Sequence, residues 1–110
     1  MKKITLAIKI LVFITAFLWI TGIRVTKGTG SSMLPTISEN SILITQFTRG
    51  AELEVGDIAL FYSPEQDAYL CHRAIYKSPV GYHFKGDNNH YFDPFVPSEY
   101  VVAKVIFIVP

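Results

Sequence analysis

Residues 69–85 read YLCHRAIYKSPVGYHFK. Apolar and polar positions alternate on both sides of Lys77-Ser78-Pro79, so the stretch reads as two strands, 69–76 and 80–85, joined by a hairpin turn. Alternation puts Leu70, His72, Ala74 and Tyr76 on one face of the first strand, and Cys71, Arg73 and Ile75 on the other. Similar segments recur along the chain: SILITQF at 41–47, DIALFY at 57–62 and EYVVAKVIFIV at 99–109, with PEQD at 64–67 as an exposed turn. No helical period of useful length follows residue 24. The expected fold is mainly β, a small partly open barrel or a pair of small sheets, and residues 24–30 (RVTKGTG) form its linker-like piece.

Ahead of the strands, residues 4–23 (ITLAIKILVFITAFLWITGI) carry a single charge, Lys9. As a helix this run is about 30 Å long, enough to cross the hydrocarbon core of a bilayer. Lys9 lies near the Lys2-Lys3 end and can snorkel to the headgroups, while Trp19 falls where an aromatic belt lies. A cleavable signal peptide has an apolar stretch of about 7–15 residues ending in a small-x-small site. This run is longer, and WITGI at 19–23 offers no such site, so a retained anchor over 1–23 is expected ahead of a folded domain over 24–110. Lys2, Lys3 and Lys9 against Arg24 and Lys27 lean toward a cytoplasmic N-terminus, with 24–110 on the non-cytoplasmic side. The formal charge of +1 gives no basic surplus for nucleic acid. The single Cys71 cannot form an internal disulfide.

Three segments carry chemistry. GTGSSMLPTI at 28–37 presents two adjacent serines, His72-Arg73 follows on a strand, and KGDNN at 85–89 is trailed by Asp93. Each has a plain reading: a Ser-rich loop before a Pro-stiffened turn, a core histidine satisfied by backbone, and an Asx-type turn. His72, His83 and His90 lack metal-ligand spacing, so neither a metal nor another cofactor is expected. His83, between Tyr82 and Phe84, is expected to face solvent.

Taken together and in order, these segments resemble the type I signal peptidases, membrane-anchored serine proteases that remove signal peptides from exported proteins. Residues 32–36 (SMLPT) are similar to the family's Ser-Met-x-Pro-Thr box, 56–61 (GDIALF) to its Gly-Asp-hydrophobic strand, and His72-Arg73 and 85–89 (KGDNN) to its two remaining boxes. The likeness spans 32 to about 107. One branch of the family has a lysine before the arginine. The endoplasmic-reticulum type, shared with archaea and some sporulating bacteria, has a histidine there, as this chain does. The resemblance implies Ser32 as nucleophile and His72 as base. It implies an aspartate completing the triad, with Asp93 at the matching distance and Asp87 bracing the site; the choice between the two aspartates stays open at this point. The implied partners are signal-peptide segments of preproteins and membrane lipid, with other membrane subunits left open.

The chemistry fits those residue types. A serine hydroxyl is almost wholly protonated at neutral pH and needs a base in hydrogen-bond reach. A free imidazole titrates at about 6.5 and is largely neutral at pH 7. The rival bases, Lys77 and Lys85, would have to be desolvated to fall from about 10.4, and neither lies in an obviously buried segment. The Ser32 N–H is one oxyanion donor. The family often supplies a second from a hydroxyl two residues before the nucleophile; here that position is Gly30, leaving Ser31 or Thr29 for the role. Substrate would bind by strand addition. Met33, Leu34, Ile37 and Leu70 are candidate wall residues, and Phe92, Pro94 and Phe95 either an apolar lip or part of the core. The rival from another class is a non-catalytic, membrane-tethered β-domain that binds peptide or a partner. An autoprotease of the repressor-cleaving type fits less well, since it uses lysine as base and a DNA-binding domain in place of an anchor. An imidazole base predicts activity that falls as pH drops and the ring takes a proton. A preprotein-cleavage profile that stays flat into the acid range excludes it.

Overall fold

The computed structural model describes residues 2–48 and 52–110. Helix α1, Lys2–Thr21, has no buried residue and is long and apolar enough to cross a membrane. Two of its hydroxyls are turned back onto the helix: Thr15 donates to the Leu11 carbonyl at 2.8 Å and Thr21 to that of Phe17 at 2.7 Å. That is what an apolar solvent requires of polar groups. The helix stops two residues short of the apolar run because Gly22 takes a positive φ of 74° and returns its N–H to the Leu18 carbonyl at 3.1 Å.

Ile23 therefore begins a strand, and the linker expected at 24–30 is mostly structured. β1, Ile23–Lys27, pairs antiparallel with β2, Ile42–Phe47. All five residues of IRVTK pair with β2, and that ladder makes the segment a strand. β3 is Ile58–Ser63, β4 Ala68–Ser78, β5 Gly81–Lys85, β6 Val96–Pro97 and β7 Val101–Val109. A 3-10 turn over Ser98–Tyr100 delays the start of β7 relative to the expected 99. The hairpin turn falls at Pro79-Val80, one residue later than expected, because Ser78 pairs with Gly81. A Cβ at Gly81 would stand 2.3 Å from the Val96 carbonyl oxygen, so only glycine lets β6 lie there.

Strands in the order β1-β2-β7-β3-β4-β5-β6 form one open antiparallel sheet, so a pair of separate small sheets is not what the chain makes. Register shifts at Ile44/Thr45, Leu60/Phe61 and Ala74/Tyr76 bend it. The last of these takes Tyr76 out of the alternation expected for β4 and leaves it exposed. Among the described residues two apolar clusters form. One joins Leu53, Ala59, Phe61, Ala74, Tyr82, Phe84, Val96 and Val101, with Phe61 and Phe84 stacked at 4.2 Å. The other joins Leu43 and Ile58 with Met33 and Ile37, so the serine-bearing loop is pinned by its own core residues. His83 does not face solvent freely: it is half-buried, its ring 5.5 Å from that of Phe95 and 6.0 Å from that of Tyr76. Phe84→Ala should cost about 3–5 kcal/mol, read as a lowered unfolding midpoint in detergent micelles. A midpoint unmoved by the change would remove Phe84 from the core.

Candidate active site

The loop between β1 and β2 carries the serines. It leaves β1 at Gly28, whose N–H donates to the Ser41 carbonyl at 2.9 Å, and a Cβ there would lie 2.4 Å from the Ser38 carbonyl oxygen. Side-chain bulk is thus excluded at the neck. Within the loop the Leu34 N–H donates to the Ser31 carbonyl and that of Ile37 to the Met33 carbonyl. Met33 and Ile37 are buried, while Ser32 between neck and core is only half-covered.

β4 brings the histidine. His72 is 5% exposed and meets Phe61 edge-on at 6.0 Å. Its Nε2 lies 3.0 Å from the Ser32 Oγ, and its Nδ1 contacts the Asp93 carboxylate, itself 5% exposed. So the plain reading of His72, a core ring satisfied by backbone, does not describe its partners: both are side chains. With Asp93 ionised, its oxygen can only accept, so Nδ1 carries the hydrogen and Nε2 is left to accept from the serine hydroxyl. Asp93 is held in turn by its backbone N–H, which donates to the Phe84 carbonyl at 2.8 Å.

Asp87 lies elsewhere. Its carboxylate accepts two bonds from Arg73, from Nε at 2.9 Å and from Nη2 at 2.8 Å, and a third from the Thr36 hydroxyl at 2.6 Å. Arg73 also donates from Nη1 to the Gly56 carbonyl at 2.9 Å. The Arg73 guanidinium holds the Asp87 carboxyl below the usual carboxylate range, partial burial opposes this, and the Thr36 hydroxyl adds to it; Arg73 is raised in return. The 86–89 turn also grips the serine loop by its backbone. Asn88 N–H donates to the Ser32 carbonyl at 2.8 Å, and Asn88 Nδ2 to the Ser31 carbonyl at 3.0 Å. A Cβ on Gly86 would stand 2.6 Å from that same Ser32 oxygen. Arg73, Thr36 and Asn88 had no role assigned from sequence. Their partners lie 14 to 57 residues away, beyond any local pattern.

The rest of the expected set is distributed as follows. Ser32 and His72 line a cleft of about 280 Å³ together with Thr26, Lys27, Gly28, Thr29, Met33, Ile37, Leu43, Leu60, Tyr69, Leu70 and Cys71. Of the candidate wall residues, Met33, Ile37 and Leu70 line the cleft and Leu34 lies outside the lining. Thr29 is in the lining; Ser31 is exposed outside it, engaged through its carbonyl. Burial pushes the Cys71 thiol up to about 12, which makes it an inert apolar wall. Lys77 pairs with Glu54 at 3.6 Å, and Lys85 donates to the Gly86 carbonyl at 3.3 Å, so neither amine is bonded to the serine. Tyr91, Phe92 and Phe95 are exposed.

In comparisons with known proteins, neither a family model nor a curated protein matches the chain.

The depressed Asp87 carboxyl ties stability to pH. It stabilises the fold above the ordinary aspartate value of about 4, and that contribution is lost as pH falls through the lower folded value. Asp87→Asn should therefore show a stability deficit that is level from about pH 7 to pH 5 and shrinks below about pH 4. A deficit that persists unchanged into stronger acid would mean the ion pair contributes nothing.

Proposed function

We propose that the chain is a membrane-tethered serine endopeptidase that removes signal peptides from exported preproteins. The single observation carrying this reading is the series Ser32 Oγ, His72 ring, Asp93 carboxylate, with the serine opening on a cleft. Ser32 is the nucleophile. His72 Nε2 takes its proton as Oγ attacks the scissile carbonyl, and returns that proton to the leaving amine. Asp93 holds Nδ1–H, fixes the tautomer and stabilises the imidazolium as it forms. Water, deprotonated by the same nitrogen, then releases the acyl group and restores the hydroxyl. The Ser32 N–H faces the developing oxyanion, with Thr29 as the hydroxyl in the cleft that can join it.

Two strand edges suit an extended substrate. β1 lies at the edge of the sheet, and Thr26, Lys27 and Gly28 at its end line the cleft. β5 joins β4 only from Arg73 onward, so residues 68–72 have no ladder partner on that side among the described residues. A peptide laid between these edges would gain main-chain hydrogen bonds and present alternate side chains to the apolar walls. The domain over 24–110, with its sheet curling toward a partly open barrel, works on the non-cytoplasmic side behind the α1 anchor.

Purified protein incubated with a model preprotein should yield a new N-terminus at the signal-peptide junction. Ser32→Ala should abolish the cleavage with expression unchanged, and equal activity in that variant would discard the serine mechanism. Asp93→Asn should lower kcat by about 10²–10⁴, far more than Asp67→Asn in the exposed turn. Small and similar losses from both would remove Asp93 from the triad.

A further inference from the structure

The Asp93 carboxylate has a second oxygen that the triad does not use. Oδ2 meets His72 Nδ1, while Oδ1 has no hydrogen-bond partner among the described residues. No side-chain oxygen or nitrogen sealed from solvent lacks a partner among them, so Oδ1 is reached from outside the core although Asp93 is only 5% exposed. Asp93 is absent from the lining of the cleft in front of Ser32. It lines a separate cavity of about 210 Å³ behind the triad, and the two spaces share Leu70 alone. Phe61, Leu70, Phe95 and Val96 give this cavity its apolar wall, and Glu65, exposed in the turn after β3, adds a second carboxylate.

The lining carries charge of one sign. Asp93 and Glu65 are in it, and no Lys, Arg or His among the described residues is. An ionised oxygen beside an apolar wall is costly without a donor, and a cation supplies both the opposite charge and the hydrogen. Phe61 and Phe95 add aromatic rings, whose faces attract cations. The cleft has the reverse character: Lys27 and His72 line it and no carboxylate does. An organic cation therefore has its partners behind the triad and none in front. The cavity is smaller than the ~300–1,000 Å³ of drug-sized sites, which limits the occupant to a compact molecule.

We propose that this cavity binds a small organic monocation, an ammonium or amidinium on a compact apolar body, with its charged end on Asp93 Oδ1 and Glu65 and its body against Phe61, Leu70 and Phe95. Binding does not depend on peptide hydrolysis; the effect on turnover rests on the peptidase reading. A cation on Oδ1 draws off part of the negative charge that stabilises the His72 imidazolium, so occupation slows acyl transfer and leaves the cleft open to peptide. Full-length protein in detergent micelles is titrated by calorimetry with benzamidinium and with benzamide, its neutral counterpart of nearly the same shape, against micelles alone.

Benzamidinium should bind about tenfold or more tightly than benzamide. Asp93→Asn should erase that preference and leave benzamide binding as it was. Glu65→Gln, in an exposed turn where folding is not at stake, should reduce the preference several-fold. In preprotein cleavage, saturating benzamidinium should lower kcat several-fold with KM unchanged. No binding, equal binding of the two probes, or a preference that survives both substitutions overturns the proposal. Inhibition that raises KM alone puts the cation in the cleft and overturns it too. A protein that binds benzamidinium with this preference yet cleaves no preprotein keeps the site and loses the peptidase reading.

Discussion

Arg73 and Asp87 hold together segments that the chain scatters. The guanidinium forks onto the carboxylate and reaches the Gly56 carbonyl, the carboxylate takes the Thr36 hydroxyl, and the turn that carries Asp87 bonds the carbonyl of Ser32. The pair is partly exposed, so solvent screens it and its worth to stability is modest. Its worth to geometry is larger. A bidentate Arg–carboxylate contact fixes both distance and orientation, and here it fixes where the serine loop meets β4. Because successive residues of a strand point to opposite faces, His72 and its neighbour Arg73 divide two tasks between the two sides of one strand. The imidazole that meets the serine sits on one side and the brace that positions the serine loop on the other.

The part of this arrangement written in local pattern was legible. Alternation identified five of the strands and put His72 with Leu70 and Ala74, where it lies against Phe61. What alternation could not carry was anything that depends on a distant partner. The shift at Ala74/Tyr76 is set by β5, and β1 exists as a strand because β2 is there to pair with it. The serine–histidine contact joins residues 40 apart and the Thr36–Asp87 bond residues 51 apart, distances at which no periodicity speaks. The first of these meetings entered through the likeness of four short boxes to a known arrangement; the second had no counterpart in the sequence reading. Where the chain departs from that likeness, at Gly30-Ser31, the sequence left two hydroxyls open, and only the lining of the cleft separates Thr29 from Ser31.

The buried His72–Asp93 pair bears on the choice between an enzyme and a binding domain. Removing a carboxylate and an imidazole from water is costly, and apolar residues of similar volume are often at least as stabilising. A polar network kept only to specify packing is closed, with every member satisfied inside the core. This one is buried at Asp93 and open at Ser32: the two inner members are 5% exposed, and the outer hydroxyl stands half-covered at the mouth of a cleft. A peptide-binding surface needs the cleft and the free strand edges but has no use for a hydrogen-bonded series of partners behind one hydroxyl. An acyl-transfer site needs both. The gradient from buried acid to accessible oxygen is therefore the feature that separates the two readings, and it favours the enzyme.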